Sequence, residues 1–213
     1  MDISNWVQHE LGQPTHAFDT KAIHGKITVR AAKTNEPLTT LDGVSRKCSD
    51  QDVVIGDNQN ALCLAGVMGG QDSGVTSNTE SIYLECALFD AARVRKSAKF
   101  HGIHSDSSFR FERGVDPEMT EKAHARIVNL IQEMAGGKVV GRSVIESKPF
   151  VRTEVSFRPW KAHLILGKEI PLEEMKGILQ SLDFAINDQN ADEWKVRVPG
   201  CRVDVTREID IVE

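Results

Sequence analysis

The sequence predicts an α+β fold in two parts, a β-rich body with one long helix followed by a small helix-rich domain. Short strand-like segments separated by turn residues fill residues 26–90. A long amphipathic helix is predicted at about 117–135, and a second group of helices and strands begins at about 150. The chain has 213 residues, of which 40% are apolar, so it can form one or two domains with buried cores.

Composition and charge exclude several classes of protein. The 26 basic and 31 acidic residues give a net charge of -5, which excludes uniform attraction to a polyanion but permits a local basic patch. No apolar run approaches the roughly 20 residues of a membrane span. The four cysteines never occur in C-x-x-C spacing, as expected for reduced thiols. We therefore expect a soluble cytoplasmic protein with no membrane partner.

The two ends of the chain both read as interrupted elements. Residues 2–7 resemble the middle of an element with nothing before it, and residues 208–213 stop inside a helix-like pattern. We therefore expect a fragment of a longer protein, with Met1 as an added start.

Alternating patterns and turn residues predict the strands of the β-rich body. The apolar run at 61–68 is predicted to be one strand buried on both faces and closed by Gly69 and Gly70. Another strand, at 81–87, contains the single carboxylate Glu85. The remaining predicted strands cover residues 27–30, 38–41 and 53–55.

The long helix opens at Asp116-Pro117 and stops at Gly136-Gly137. A further strand is predicted at 139–145, and residues 147–149 mark a plausible boundary between domains at 1–148 and 149–213. The elements predicted in the second domain are strands at 154–157, 184–186 and 194–198, a helix from Pro159, and a helix at 171–182.

Four residues in the body could contribute to a ligand site. His16 follows a Gly and a Pro that fix the backbone, so it either faces a pocket or bonds its own loop. Burying Glu85 is costly unless a partner such as a ligand hydroxyl satisfies it, and the alternative is a solvent-facing carboxylate. Gly69 and Gly70 allow close approach of a ligand to the backbone, or simply a tight turn.

Residues 91–113 are rich in polar and basic side chains. His101, His104 and Asp106 lack zinc-site spacing, and the neighbouring serines lack a nucleophile elbow, so we expect pocket-lining or turn-forming residues and no metal site. Arg110 and Arg113 are interpreted as an ion-paired structural segment. Contact with phosphates is the hypothesis for Arg93, Arg95, Lys96 and Lys99.

Several longer motifs, in order, resemble the β subunit of bacterial phenylalanyl-tRNA synthetase. Those in the first domain resemble the B3/B4 editing region of that family: residues 4–7, 10–19, 41–43, 65–70 and 101–117. Residues 165–167, the helix after Pro171, and 198–204 resemble its B5 domain, a small winged-helix-like module. In that family the editing region begins upstream of Asp2, and B5 continues into a catalytic-like core.

The resemblance implies hydrolysis of the ester of tyrosine mischarged on tRNA(Phe), because a synthetic pocket cannot strongly reject an added hydroxyl. By position, Glu85 would receive the tyrosine phenol and His16 would lie beside the substrate. The hypothesis for hydrolysis is that His16 orients the water and that Asn5 or the glycine N–H groups supply donors to the oxyanion. The same resemblance assigns the neighbouring pocket positions to Ser4, Gly69, Gly70, Ser105 and Ser107.

The resemblance also implies partners and alternatives. The synthetase α subunit and the rest of the β subunit would form an (αβ)₂ assembly, and DNA is not expected as a partner. ATP and Mg²⁺ would bind elsewhere in the full enzyme, so this fragment would need no cofactor and would not aminoacylate. The main alternative is a scaffold and tRNA-positioning module whose editing has decayed. A free-standing nucleic-acid-binding protein is disfavoured by the net charge.

Overall fold

A computed structural model describes residues 2–146, 148–187 and 190–213. It has helices and antiparallel sheets in two compact units, one ending at Val139 and the other spanning Val140–Glu213. The α+β prediction is confirmed. The domain boundary predicted at 147–149 stays a prediction, and its first residue, Ser147, lies outside the described residues.

The first unit contains helices and antiparallel strands. Its helices are α1 (Asp2–Leu11), α2 (Ala91–His101), α3 (Asp106–Phe111) and α4 (Met119–Ala135). Its strands are β1 (His16–Asp19), β2 (Thr28–Ala31), β3 (Pro37–Thr39), β4 (Ser45–Lys47), β5 (Val53–Gly56), β6 (Ala61–Leu64), β7 (Met68–Gly69) and β8 (Ile82–Glu85). The strands form a four-stranded antiparallel sheet of order β2-β5-β6-β7 and two two-stranded ribbons, β1-β8 and β3-β4.

Apolar packing holds these elements together in three clusters. Val94 of α2 and Phe111 of α3 pack with the β5 and β6 side chains Val54 and Leu64. Phe18 of β1 is fully buried in a second cluster with Ile55 and Leu62. In the third, α1 packs on α4 through Val7, Ala123 and Ile127. Burial of such side chains stabilises by about 1.5–3 kcal/mol each.

The single strand predicted at 61–68 is wrong, because the chain turns back in the middle of the apolar run. β6 ends at Leu64, and β7 starts at Met68 and pairs with β6 in antiparallel register. The turn depends on Gly66, whose φ of 70° lies in the left-handed region that favours glycine. Periodicity cannot detect this turn, because the turn residues Ala65 and Val67 are themselves buried.

Two further differences concern helices and a strand. The sequence predicts no helix in the polar segment 91–113, but most of it is helical, with Asp90 capping α2 at its start and Gly102 at its end. The strand predicted at 139–145 is wrong, since residues 139–146 have no regular structure and Val140 and Ile145 are exposed. Among the described residues no strand pairs with that segment, so its apolar side chains have no sheet to pack against.

The elements of the second unit match the sequence prediction closely: β9 (Glu154–Phe157), α5 (Pro159–Leu166), α6 (Leu172–Ser181), β10 (Ala185–Asn187), β11 (Trp194–Arg197) and α7 (Glu208–Val212). The helices surround a three-stranded antiparallel sheet of order β10-β11-β9. Trp194 is the largest fully buried side chain of this unit and packs with Phe157, Met175 and Leu179. Across the described part of the chain, every helix is too short or too polar to cross a membrane.

The β6–β7 turn gives a test of the fold. A Cβ at Gly66 would lie 2.8 Å from Phe89 Cδ2 and 3.0 Å from Val94 Cγ2, on a backbone with positive φ. We therefore expect Gly66→Ala to lower the free energy of unfolding by about 2 kcal/mol. Gly177, in the interior of α6, has open space around it, so Gly177→Ala should raise that free energy by about 0.5–1 kcal/mol. Urea denaturation measures both, and equal stability of Gly66→Ala and the native chain would contradict this turn.

Candidate functional site

A cavity of about 390 Å³ opens in the first unit, a size suited to a small ligand. Its walls come from α1, the β1–β8 ribbon, the tip of the β3–β4 hairpin, the β6–β7 turn and the start of α3. Six predicted site residues line it: Asn5, His16, Gly69, Glu85, Ser105 and Ser107. The fold thus brings together side chains from segments that are far apart in sequence.

The β1–β8 ribbon places His16 directly opposite Glu85. Residues that face each other across an antiparallel pair project from the same side, with Cβ atoms about 4.5–5.5 Å apart. Both side chains line the pocket. Phe18, two residues along β1, packs edge-on against the His16 ring at 4.5 Å between centroids. The imidazole and the carboxyl group are therefore neighbours on one pocket wall.

Burial keeps the His16 imidazole neutral. Desolvation lowers the pKa of His16 to about 4, because the charged form is disfavoured away from water. Its Nε2 atom is buried and has no hydrogen-bond partner among the described residues. At neutral pH the ring therefore offers the pocket an uncharged nitrogen with unused hydrogen-bonding capacity.

Burial acts on Glu85 in the opposite direction and keeps the carboxyl group protonated. Desolvation raises the pKa of Glu85 to about 8. Its Oε1 atom is buried without a partner in the part of the chain that the structure describes. Glu85 therefore faces the pocket rather than bulk solvent. Thr15 Oγ1, from the same wall, is a third buried polar atom without a partner.

The two glycines predicted for the site have different surroundings. Gly69 lines the pocket, and a Cβ added there would lie 2.4 Å from His16 Cε1, so the imidazole rests directly against this backbone. Gly70 does not line the pocket. Its N–H donates to the Leu62 carbonyl at 2.9 Å, so this amide cannot donate to a ligand.

The serines shape the pocket through hydrogen bonds to the β6–β7 turn. Ser105 Oγ donates to the Val67 carbonyl at 2.5 Å, and Ser107 Oγ donates to the Gly66 carbonyl at 3.2 Å. Their hydroxyl protons are therefore committed to the backbone, although their lone pairs can still accept. On α1, Asn5 lines the pocket but Ser4 does not.

Arg46 and Asp42 are site residues that the sequence analysis missed. Asp42 lines the pocket at the tip of the β3–β4 hairpin, and the Thr40 hydroxyl, 2.5 Å from Oδ1, lowers the pKa of Asp42 to about 2. Arg46 is largely buried and donates to Asp42 Oδ2 at 2.6 Å, Thr40 Oγ1 at 2.8 Å and the His101 carbonyl at 2.7 Å. The guanidinium thus ties the pocket-lining tip to the end of α2.

The basic residues of α2 lie outside this pocket. Arg93 lines a second cavity of about 250 Å³, and Arg95, Lys96 and Lys99 are exposed. His101 turns inward, where its Nε2 lies 2.8 Å from Asp52 Oδ2 in a buried pair. Within the described ranges, no three metal-ligating side chains converge.

Comparisons with known proteins match both units to families. Residues 1–136 match the B3/4 domain, and residues 155–213 match the tRNA synthetase B5 domain. The phenylalanine–tRNA ligase β subunits of Porphyromonas gingivalis and Geobacter metallireducens are 42% and 40% identical to this chain over 215 residues. These matches cover 100% of this chain but only 26% and 27% of the two relatives.

A solved N-terminal fragment of the Pyrococcus horikoshii phenylalanyl-tRNA synthetase β subunit is also similar, with 16% identity and a TM-score of 0.45. That similarity covers 97% of this chain and 60% of the fragment. The chain spans about a quarter of the length of the curated relatives it matches. Both domain matches, in this order, and the identity over the whole chain show that the chain belongs to the phenylalanine–tRNA ligase β subunit family and contains a B3/4 domain followed by a B5 domain.

Proposed function

We propose that this pocket edits mischarged tRNA by hydrolysing the ester that joins tyrosine to the 3′-terminal ribose of tRNA(Phe). The proposal is supported by two buried atoms on paired strands of one pocket, His16 Nε2 and Glu85 Oε1, which have no hydrogen-bond partner among the described residues. Buried polar atoms without partners are rare in proteins and call for an explanation. A substrate with a phenol hydroxyl and a hydrolysable ester supplies partners for both.

Glu85 would select tyrosine by making its hydroxyl obligatory. The neutral carboxyl group can accept the phenol O–H through one oxygen and donate its own proton through the other. Phenylalanine fills the same volume but leaves the buried carboxyl group unpaired. Sites built to bond a hydroxyl reject the analogue that lacks it, because the polar group of the protein then loses its partner.

Hydrolysis itself requires a positioned water and donors to the developing oxyanion. The water attacks the ester carbonyl carbon, the bond to the ribose oxygen breaks, and that oxygen takes up a proton, releasing tyrosine and tRNA. Neutral His16 Nε2 would accept a hydrogen bond from the water and orient it. The amide of Asn5 would donate to the oxyanion, whereas the Gly70 N–H is already used.

The wider assembly is part of the same proposal. The chain would act within a phenylalanine–tRNA ligase in the cytoplasm, beside an α subunit and the rest of the β subunit in an (αβ)₂ assembly. ATP and Mg²⁺ would bind elsewhere in that enzyme. The tRNA would contact the exposed basic residues of α2, namely Arg93, Arg95, Lys96 and Lys99.

Replacing Glu85 tests the selection of tyrosine. In the complete two-subunit enzyme, Glu85→Ala should slow deacylation of tyrosyl-tRNA(Phe) by about 10- to 100-fold, because a buried hydrogen bond is lost. Deacylation of phenylalanyl-tRNA(Phe) should not slow, so selectivity collapses. Glu80→Ala, which removes an exposed carboxylate paired with Lys21, is the matched control and should behave as native. If the native enzyme leaves tyrosyl-tRNA(Phe) intact, the region is a scaffold instead.

The pKa of Glu85 predicts a pH dependence of stability. Above about pH 4.5 the unfolded chain ionises this carboxyl group, while the folded chain keeps the proton up to about pH 8. The contribution of Glu85 to stability is therefore lost as pH rises through this window, by at most about 1.4 kcal/mol per pH unit. His16 acts in the opposite direction, because its contribution to stability is lost as pH falls from about 6.5, the ordinary pKa of histidine, to about 4.

Urea denaturation of the native chain and of Glu85→Gln at pH 5, 6, 7 and 8 isolates the Glu85 titration. The free energy of unfolding of the native chain should fall relative to that of the variant across this range. A constant difference would mean that Glu85 is ionised throughout, contrary to the proposed neutral acceptor.

The contact between Gly69 and His16 predicts a loss of rate. In Gly69→Ala the new methyl group must displace the imidazole, and a misplacement of about 1 Å can cost about 10²-fold in rate. We expect kcat for tyrosyl-tRNA(Phe) deacylation to fall by that order. Gly74→Ala is the matched control, because its Cβ would make only ordinary contacts from 3.4 Å outward. Full activity of Gly69→Ala would mean that His16 does not need its present position.

A further inference from the structure

The short helix α3 connects the pocket to an exposed face that the proposed chemistry does not use. Asp106 and Ser107, at its start, line the pocket, and Phe111 is buried beneath it. Phe109 lies three residues after Asp106 and is 55% exposed. Residues three and four apart share a helix face, so Phe109 and Arg110 continue outward from Asp106 at the pocket wall.

Arg113 fixes the Phe109 ring in place. Its guanidinium lies over that ring at 3.7 Å from the centroid, and its Nη1 donates to the Phe109 carbonyl at 2.8 Å. Glu112 forms an ion pair with Arg113. From the sequence, Arg110 and Arg113 are interpreted as an ion-paired structural segment, and this interpretation is correct for Arg113. Its guanidinium covers one face of the Phe109 ring.

Arg110 does not fit that interpretation. In the described part of the chain its guanidinium forms no ion pair, and its hydrogen bond runs to the Asp106 carbonyl at 3.4 Å. Arg110 therefore supplies a cation next to the exposed Phe109 ring, which supplies a surface for stacking. Nucleic-acid-binding proteins use these two groups for phosphates and for unpaired bases.

We propose that Phe109 and Arg110 form a binding site for the unpaired 3′ end of an RNA, in which one base stacks on Phe109 and a phosphate contacts Arg110. The inference rests on the proposed editing function. An ester bound in the pocket stays attached to its ribose, so the last nucleotides must lie at the pocket rim. Phe109 is only about 4.5 Å further along the helix axis than Asp106.

The charges on this face favour a phosphate at Arg110. The Asp106 carboxylate is exposed at the pocket rim and repels phosphates, whereas the Arg110 guanidinium, which lies beside the Asp106 carbonyl, attracts them. Arg113 is already paired with Glu112, so the phosphate of the stacked nucleotide lies at Arg110. A protein partner could also cover an exposed aromatic beside arginines, but it would not have to begin at the pocket.

Steady-state deacylation of tyrosyl-tRNA(Phe) by the complete two-subunit enzyme tests the site. Stacking contributions of the usual size predict that Phe109→Ala raises KM about tenfold and leaves kcat within about twofold. Phe109→Trp should restore KM.

Arg110→Gln should raise KM and reduce the slope of log KM against log salt concentration by about one. The matched control is Trp160→Ala, another exposed aromatic beside an arginine, in the second unit, and its KM should be native.

Two modified tRNAs separate stacking from other effects. One lacks the terminal base and the other the penultimate base, and both are acylated chemically with tyrosine. The KM penalty of Phe109→Ala should vanish on one of them. A penalty that persists on both means that the face binds something other than a base, such as a protein, and overturns the inference. An unchanged KM in Phe109→Ala overturns it too, while normal deacylation by the native enzyme leaves the editing proposal standing.

Discussion

The pairing of β1 with β8 is the constraint on which the site depends. Four residue pairs set the register that places His16 opposite Glu85. A slip of one residue would send one of the two side chains to the other face of the ribbon. Phe18, on the same side of β1 as His16, is fully buried in the core with Ile55 and Leu62. Because core packing fixes Phe18, it also fixes the register and thereby the pair in the pocket.

The treatment of other buried charges shows why this pair is unusual. Arg30 and Glu36 form a bidentate ion pair, and Asp52 holds His101 while accepting the Ser49 N–H. Those groups have partners, as buried charges normally do. His16 and Glu85 instead keep their neutral forms. Asp52 Oδ1 is also buried without a partner among the described residues, but Asp52 is bonded to His101 through Oδ2, whereas the unbonded atoms of His16 and Glu85 belong to residues that line the pocket. Perturbed groups that cluster in a cleft are typical of binding and catalytic sites.

Sequence patterns predicted elements whose periodicity is local, and missed those set by distant contacts. The strands of the second unit and α4 follow from alternation and from apolar spacing. The turn at Gly66 is hidden inside an apolar run, and α2 was missed although Asp90 and Gly102 mark its ends. The role of Arg46 depends on the His101 carbonyl, 55 residues away, which no local pattern reveals.

The candidate site shows the same limit. Strand alternation says that Glu85 and Leu84 face opposite sides, but not which side is enclosed. The resemblance to a family gave the set of positions, and the fold places six of them around one pocket. The resemblance does not show which of these groups are free to contact a ligand. Ser105 and Ser107 donate their hydroxyl protons to carbonyls of the β6–β7 turn, and the Gly70 N–H donates to the Leu62 carbonyl. Those distinctions follow only from hydrogen bonds.

A neutral carboxyl group suits the discrimination that editing requires. An ionised Glu85 would bind a phenol hydroxyl more strongly, but burying its charge in the empty pocket would destabilise the fold. The protonated form lowers that cost and, under the proposed function, would still lose a partner when phenylalanine enters. The acidic charge of the site is left to Asp42, which Thr40 and Arg46 hold at the pocket edge. The buried end and the charged, open end of the pocket are thus separate, so the proposed editing would distinguish the amino acid by hydrogen bonding to a neutral group rather than by an ion pair.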